Sequence, residues 1–412
     1  VANEVLVIGG GPAGLTAAKS LADRGANVVL VERSESLGGM ARELTCKGLV
    51  ECRSCGACFA VDRASEILKE PSVEVLLLSE VTSVKKDEAG YEAKVKVSPR
   101  YVTDDCIGCG KCVEVCPVDG KAIFPPKGTG QPRIHWIDRS KCLHFKKKGC
   151  TKCAEACPTE AVDFEDRAVN ITRKASSVVY ATGIDPVDAC EVSRLGCGTL
   201  KDVVSSVDAE RILNEKGRLA RPSDGAPPKK VAVIQCVGSR SVKNGVDYCS
   251  KFCCKYATKI SQLIMDADPE VNLDFYFMDL RTLHEPQDDF KRWAKDKKTV
   301  RLIRSMPATV QPGKDGKLVV KASSETDTEV QENEYDMVLL SVGMRPSGAT
   351  GELPASLGIG TDERGFAKVG DELAAKGIHL AGAVSEPMDI EEAAVRATAT
   401  ASRVKLSKEV SG

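Results

Sequence analysis

The sequence predicts an α/β fold made of two nucleotide-fold units, the first interrupted by a cysteine-rich insertion. Three observations predict it. A glycine pattern follows a short apolar run near the start of the chain. A cysteine motif that occurs twice displaces apolar periodicity from about Tyr101 to Phe164. A second strand–helix–strand unit opens at Lys229, after a stretch over 217–230 rich in Pro, Gly, Lys and Arg.

Bulk composition agrees. At 412 residues the chain is too long for one ordinary domain, and two or three are expected. An apolar fraction of 42% supports packed cores, and 58 basic residues balance 59 acidic ones. That balance argues against a nucleic-acid surface or a polybasic membrane anchor. No apolar run approaches the roughly 18 residues of a membrane helix, and no secretory signal is visible, so work at a membrane would need a partner to hold the chain there. Cysteine is the outlier. There are 18, mostly at two- and three-residue spacings, and such thiolate clusters in a reducing compartment are usually metal ligands or redox centres.

Element by element, Glu4 to Ile8 reads as a buried parallel strand, Ala13 to Asp23 as a helix, and Ala26 to Glu32 as the next strand. Val178 to Gly183 restores a strand after the insertion. In the second unit Lys229 to Ile234 is a strand, Tyr248 to Asp266 a helix, and Asn272 to Met278 a strand. Glu325 to Asn333 reads as a polar hairpin or loop. Asp336 to Val342 is a buried strand, Gly377 to Ala383 the last strand, and 389–405 a closing helix.

Gly9, Gly11 and Gly14 form G-x-G-x-x-G between the first strand and helix, and Glu32 followed by Arg33 closes the second strand. In such a turn the first glycine permits the tight bend, the second admits a pyrophosphate, and the third lets helix and strand pack. The helix N-terminus then faces phosphate, and Glu32 can accept from a ribose hydroxyl. Three features favour FAD over NAD. Leu37-Gly38-Gly39 follows the acid, where the chain must pass close to a flavin. Ala181-Thr182-Gly183 ends the return strand. Gly377 to Gly382 leads to Asp389-Ile390-Glu391-Glu392, where Asp389 reads as an N-cap with Glu392 in the capping-box position, and that helix aims its positive end at the flavin pyrimidine. The acid usual after the Ala-Gly step is Ala383 here.

Within the insertion, Cys106-x2-Cys109-x2-Cys112-x3-Cys116-Pro117 is a bacterial ferredoxin motif, and Cys142-x7-Cys150-x2-Cys153-x3-Cys157-Pro158 is a second copy with a longer first gap. The fourth cysteine of each run ligates the other cluster in such modules. Cys106, Cys109, Cys112 and Cys157 are therefore assigned to one [4Fe–4S] cluster, and Cys142, Cys150, Cys153 and Cys116 to the other; the Cys-Pro endings weigh against zinc.

Two further cysteine groups are less regular. Gln235-Cys236-Val237-Gly238-Ser239-Arg240 stands where the second unit should carry its NAD glycines, and only Gly238 remains. Cys236 with Cys249, Cys253 and Cys254 could hold a third [4Fe–4S] cluster, since the last three open a helix whose dipole favours thiolates; buried thiols or a vicinal disulfide are the alternative. Cys46, Cys52, Cys55 and Cys58 could hold a fourth cluster, and a zinc knuckle or free thiols fit them equally. Cys190 and Cys197 read as ordinary core or loop cysteines. Lys255 and Arg240 are candidates to tune the cluster or flavin, with a solvated surface role as the alternative. No Ser/His/Asp constellation is present, so no side chain is assigned a catalytic role.

Together these residues give a two-dinucleotide-binding, thioredoxin-reductase-like flavoprotein fold with an inserted two-cluster ferredoxin domain. Expected boundaries are 1–98 for the first part of the FAD domain, 99–172 for the insert, 173–228 for the return strand and linker, 229–340 for the second Rossmann-like domain, and 341–412 for the last part of the FAD domain.

The chain resembles the A subunit of heterodisulfide reductases over nearly its whole length. Beside the FAD motif, the resemblance rests on Pro99-Arg100-Tyr101-Val102, the 235–240 loop, Tyr248-Cys249-Ser250, Cys253-Cys254, Met278-Asp279-Leu280-Arg281 and the Leu380-Ala381-Gly382 to Asp389-Ile390 ending. It implies that Cys236, Cys249, Cys253 and Cys254 match that family's unusual cluster beside the flavin. The chain is short for the family, without a C-terminal ferredoxin, and so is most similar to the A subunit of the quinone-interacting membrane-bound oxidoreductases of sulfate reducers. That similarity implies an electron-transfer oxidoreductase partnered with a second flavin subunit of the same kind, a membrane subunit reactive with menaquinone, and adenylylsulfate reductase. It also implies a cytoplasmic site peripheral to the inner membrane, and a flavin that splits or merges electron pairs. A soluble bifurcating heterodisulfide reductase subunit is the alternative, and an NAD(P)H disulfide reductase using Cys253–Cys254 is a third reading.

Overall fold

The computed structural model describes residues 3–47, 51–52, 55–88, 90–243, 245–281, 287–323, 329–347 and 352–406. Its first sheet is parallel and ordered Ile378–Leu380, Ser177–Tyr180, Glu4–Ile8, Asn27–Val31, Val73–Leu76. A parallel sheet buried on both faces needs continuous apolar runs, and Val5, Leu6, Val7, Val178 and Val179 are at most 1% exposed. The first helix, Pro12–Ala22, and the closing helix, Ile390–Arg403, pack together on one face.

On the other face lies an antiparallel sheet of Ser79–Asp87, Gly90–Val97 and Val169–Ala175. The sequence motifs assign no element to these segments. Their signal is the period-two alternation of the half-exposed strand Gly-Tyr-Glu-Ala-Lys-Val-Lys-Val, in which Tyr91, Ala93 and Val95 are buried. The cysteine-rich insertion leaves from the second of these strands and returns through the third, so its ends emerge side by side.

The second unit is also a parallel sheet, ordered Val203–Ser205, Met337–Val342, Lys230–Val237, Asn272–Phe277, Val300–Arg304, with the helix Cys253–Ala267 packed on it. That helix starts five residues later than the sequence suggests; 248–252 form the turn leading into it. Val330–Tyr335, expected as hairpin or loop, is a strand in a three-stranded sheet with Leu318–Ser323 and Thr309–Pro312; the 325–328 part of that expectation lies outside the described residues. The two units are joined twice, by Ile184–Pro186 going out and Met344–Pro346 coming back, which pair antiparallel. Among the described residues no helix is long and apolar enough to cross a membrane.

One expectation is corrected: Cys190 and Cys197 are not ordinary thiols but form a disulfide. They end a short loop whose turns bring residues seven apart back together.

Candidate flavin and cluster sites

The glycine turn is built for close approach. Gly9 has φ +109°, and a Cβ there would strike the Ala181 carbonyl; one on Gly14 would strike the Gly9 carbonyl. At Gly11 the nearest atom to a Cβ is the Gly39 Cα at 3.8 Å, so its outer side opens to the loop carrying Gly38 and Gly39. Gly11 is the N-cap of the first helix and offers no side-chain cap, which leaves the helix-end amides to a ligand. Gly38 and Gly39 have φ +108° and +54°, and Gly39 crowds Gly11. Thr182 and Gly183 follow the return strand, Gly183 with φ +76° and nothing within 4 Å of its Cβ position.

Glu32 differs from expectation in one respect. Its carboxylate is 6% exposed and accepts from Gly10 N at 2.6 Å and Ser34 N at 2.8 Å. It thus fixes the glycine turn to the second strand, and a ribose would have to share its oxygens. Arg33 is 67% exposed at the side chain and lies 3.8 Å from Asp185. At the far end of the domain Gly382, with φ +74°, packs on Ala13. Asp389 caps the closing helix, accepting from Glu392 N at 2.8 Å. Beside it, Ile390 lies within 3.8 Å of the Gly56 Cβ position, which puts Cys55-Gly56 against that helix start.

In the insertion the eight cysteines gather around two cavities. One is lined by Cys116, Cys142, Cys150 and Cys153. The other is lined by Cys106, Cys109, Cys112 and Cys157. Each run therefore sends its last cysteine to the other cavity, and Ile123 lines both. Four sulfurs around an apolar hollow are a donor set suited to a cubane. Burial pushes the Cys112 thiol up to about 11 and Cys153 up to about 12, with Cys106 and Cys142 next in effect. Protons on these sulfurs must leave when a metal binds. Burial also pushes Cys157 up, but amides around Thr159 and Ala161 outweigh it and hold that thiol below its ordinary value. The long Cys142–Cys150 gap forms one wide helical turn, held by His144 stacked on Phe164 at 3.8 Å and Phe145 against Tyr101 at 4.6 Å.

A tight seam ties this insertion to the flavin loop. Leu37 N donates to Gln131 O at 2.7 Å and Thr129 N to Arg42 O at 2.8 Å. A Cβ on Gly128 would collide with the Arg42 carbonyl, and one on Gly130 with Ser36 Oγ. Arg42 and Glu35, 6% and 7% exposed, pair at 3.4 Å beneath it.

In the second unit Cys236 has φ +57° at the strand end, where an L side chain is strained. Cys236, Cys253 and Cys254 are at most 5% exposed and share hydrogen bonds. Hydrogen bonding with Cys253 holds Cys236 below the usual thiol range and Cys254 down to about 7, while Cys253 is pushed up. Cys249 lies in the turn before the helix, its sulfur 3.4 Å from Lys251 N. Such a unit normally keeps an acid near the end of its second strand for a ribose. The corresponding Asp279 is already paired with Arg240 from the glycine-poor loop and with Arg281, and Arg240 also bonds Cys236. Lys255, next to Cys254, reaches Asp389 at 3.3 Å, so the cysteine helix docks on the cap of the closing helix.

Of the remaining group, Cys55 and Cys46 both lie within electrostatic reach of Cys58; burial, then Asp62, pushes the Cys58 thiol up. Cys52 is exposed. The sequence motifs miss the ion pair that fixes this segment: Lys47 and Glu210, each 2% exposed, bond directly, and Lys47 Nζ lies 5.7 Å from the Tyr256 ring centre. A lysine beside cysteines carries no sequence signal for such burial.

Comparison with known proteins agrees with this geometry. The profile of FAD dependent oxidoreductases matches residues 4–51, and that of 4Fe-4S dicluster domains matches 51–120 and 105–161. The chain is 34% identical, over 98% of its own length, to the A 2 iron-sulfur subunit of the CoB–CoM heterodisulfide reductase of Methanopyrus kandleri. It is 31% identical, again over 98%, to the A subunit of the H(2):CoB-CoM heterodisulfide,ferredoxin reductase of Methanothermobacter thermautotrophicus. Over nearly all of its own length the chain is similar to A subunits of heterodisulfide reductases. It spans 64% of the length of each of these two relatives. The profiles mark it as an FAD and iron–sulfur protein. Solved structures share its fold: a T. acidophilum thioredoxin reductase at TM-score 0.52 and 17% identity, covering 97% of both chains, and the bacillithiol disulfide reductase of Bacillus cereus at 0.51 and 14%, covering 97% of this chain and 98% of that one.

Proposed function

We propose that this chain is the FAD and iron–sulfur electron-transfer subunit of a larger oxidoreductase complex. The observation that carries the reading is the pair of four-cysteine cavities seamed to the loop of the flavin cradle. Cys106, Cys109, Cys112 and Cys157 would hold one [4Fe–4S] cluster and Cys142, Cys150, Cys153 and Cys116 the other. Cys236, Cys249, Cys253 and Cys254 would hold a third, and Cys46, Cys52, Cys55 and Cys58 a fourth. When bound, the flavin interconverts two-electron and one-electron steps and the clusters carry single electrons. The protein's own residues bind and orient. Gly9, Gly11 and Gly14 with the first helix cradle the pyrophosphate, Gly38 and Gly39 pass along the flavin, and the Asp389–Ile390 helix start faces it. Boundaries at 98, 172, 228 and 340 are proposed for the corresponding domains.

For the complex, we favour two partners, a second flavin subunit of the same kind together with a quinone-reactive membrane subunit, exchanging electrons with adenylylsulfate reductase. Those partners would hold the chain at the cytoplasmic face of the inner membrane. The second reading is a soluble heterodisulfide reductase subunit, which the names of the methanogen relatives favour. Isolation of the native complex tests both. A co-eluting quinone-reactive membrane subunit supports the first, and hydrogenase or formate dehydrogenase subunits support the second. A purified chain without flavin and iron–sulfur absorption would sink both.

A further inference from the structure

We propose that Cys190 and Cys197 form a dithiol–disulfide couple, reduced by dithiols, that stiffens the crossing between the two nucleotide folds. The inference goes beyond the electron-transfer reading and needs neither flavin nor cluster. Sixteen of the 18 cysteines are free, and these two alone are joined among the described residues. Sixteen cysteines left outside disulfides suit a reducing compartment whether or not they hold clusters, and there a disulfide is usually redox-active rather than structural.

Position gives the couple something to control. It follows directly on the outgoing crossing, Ile184–Pro186, which is paired with the return crossing, Met344–Pro346. Glu191, beside Cys190, pairs with Arg345 of the return crossing, and Val187 N donates to Gly343 O at 2.9 Å. The body of the loop is anchored: Ala189, Val192 and Leu195 are buried in the core of the second unit, and Arg194 donates to the carbonyls of Pro307 and Ala308 at 2.7 and 2.6 Å. Closing the bond therefore adds a second tie between Cys190, after the crossing, and Cys197; opening it leaves the buried Ala189, Val192 and Leu195 and the Arg194 bonds to hold that loop on the second unit.

Chemistry at the pair is suited to exchange. Cys190 is exposed, so its sulfur is open to attack. The Asp188 carboxylate accepts from Cys190 N at 2.9 Å and lies within 4.8 Å of both sulfurs. A negative charge there disfavours the thiolates and so favours the closed form, which calls for a strongly reducing dithiol. In the step, a dithiol thiolate bonds to Cys190 Sγ as the Cys190–Cys197 bond breaks, and Cys197 leaves as a thiolate. The second thiol of the reagent then displaces Cys190. One disulfide opens, one forms in the reagent, and two electrons with two protons pass to the protein.

The test uses the full cofactor-loaded chain, equilibrated in mixtures of reduced and oxidised dithiothreitol. Differential alkylation reads Cys190 and Cys197, and hydrogen exchange reads the amides of 184, 185, 187 and 343–345. Both cysteines should become alkylated together in one two-electron transition, with exchange at the crossings rising several-fold and that of 123–137 unchanged. Cys190→Ser should show the faster exchange without dithiol; if it does not fold, the wild-type titration decides alone. Two alkylatable thiols in dithiol-free buffer, a bond that resists excess dithiol, or opening without faster exchange at the crossings would each overturn the proposal.

Discussion

Single residues carry the cofactor geometry. Gly11 has open space toward Gly39 and caps a helix with no side chain of its own, so a carboxylate there would occupy the phosphate position and repel its charge. Gly11→Asp should fold and lose bound flavin, read from absorbance after desalting; full flavin retention would refute the cradle. Cys116 lines the cavity built on Cys142, Cys150 and Cys153, not the one built on its own run. Cys116→Ala should lose the signal of that cluster in electron paramagnetic resonance and keep the one on Cys106, Cys109 and Cys112. Loss of the latter instead would reverse the assignment. The crossing follows the bacterial ferredoxin pattern, in which the fourth cysteine of each run ligates the other cluster.

At the scale of elements, the loop carrying Cys46 is tied down by a buried ion pair between Lys47 and Glu210. Lys47 neutralises a carboxylate that burial pushes above its ordinary value, and removing one partner of such a pair costs about 3–5 kcal/mol. Lys47→Met should therefore destabilise the protein by about that much in urea unfolding, and Lys47→Met with Glu210→Leu should recover much of the loss. Additive losses would show that the two side chains do not act as a pair. The last strand of the first sheet carries His379, 7% exposed, whose imidazole burial holds below its ordinary 6.5, with Arg403 adding to the effect. The unfolded chain binds that proton first, so the stability His379 confers is complete above pH 6.5 and declines as pH falls below it. His379→Asn should flatten the urea midpoint over that window, and an unchanged slope would exclude this histidine as the cause.

For the whole molecule, the second nucleotide fold keeps only Gly238 of the glycines usual in its first turn. Asp279, where a ribose would bind, is engaged by Arg240 and Arg281, and cysteine replaces glycine in the turn at a left-handed φ. NADH or NADPH should leave the flavin of the isolated chain oxidised in a stopped-flow trace. Rapid saturable reduction with a constant in the range of about 1 μM–1 mM would restore the disulfide-reductase reading. The ion pair of Lys255 with Asp389 places the helix start at Cys253–Cys254 beside the cap of the closing helix.

What the sequence determined by itself are the features that depend on local spacing. The glycine turn, the strands Glu4–Ile8 and Met337–Val342, the capped closing helix and the doubled ferredoxin motif were all legible, because each is encoded within a few neighbouring residues. Tertiary structure alone decided four others. These are the antiparallel sheet from which the insertion springs, the seam of Gly128 and Gly130 on the flavin loop, the buried Lys47–Glu210 pair, and the disulfide of Cys190 with Cys197 at the crossing. Each joins residues whose types are unremarkable where they stand in the chain. Burial, pairing and charge compensation belong to neighbours brought together by folding, and the one local trace of them is the period-two alternation of Gly90–Val97.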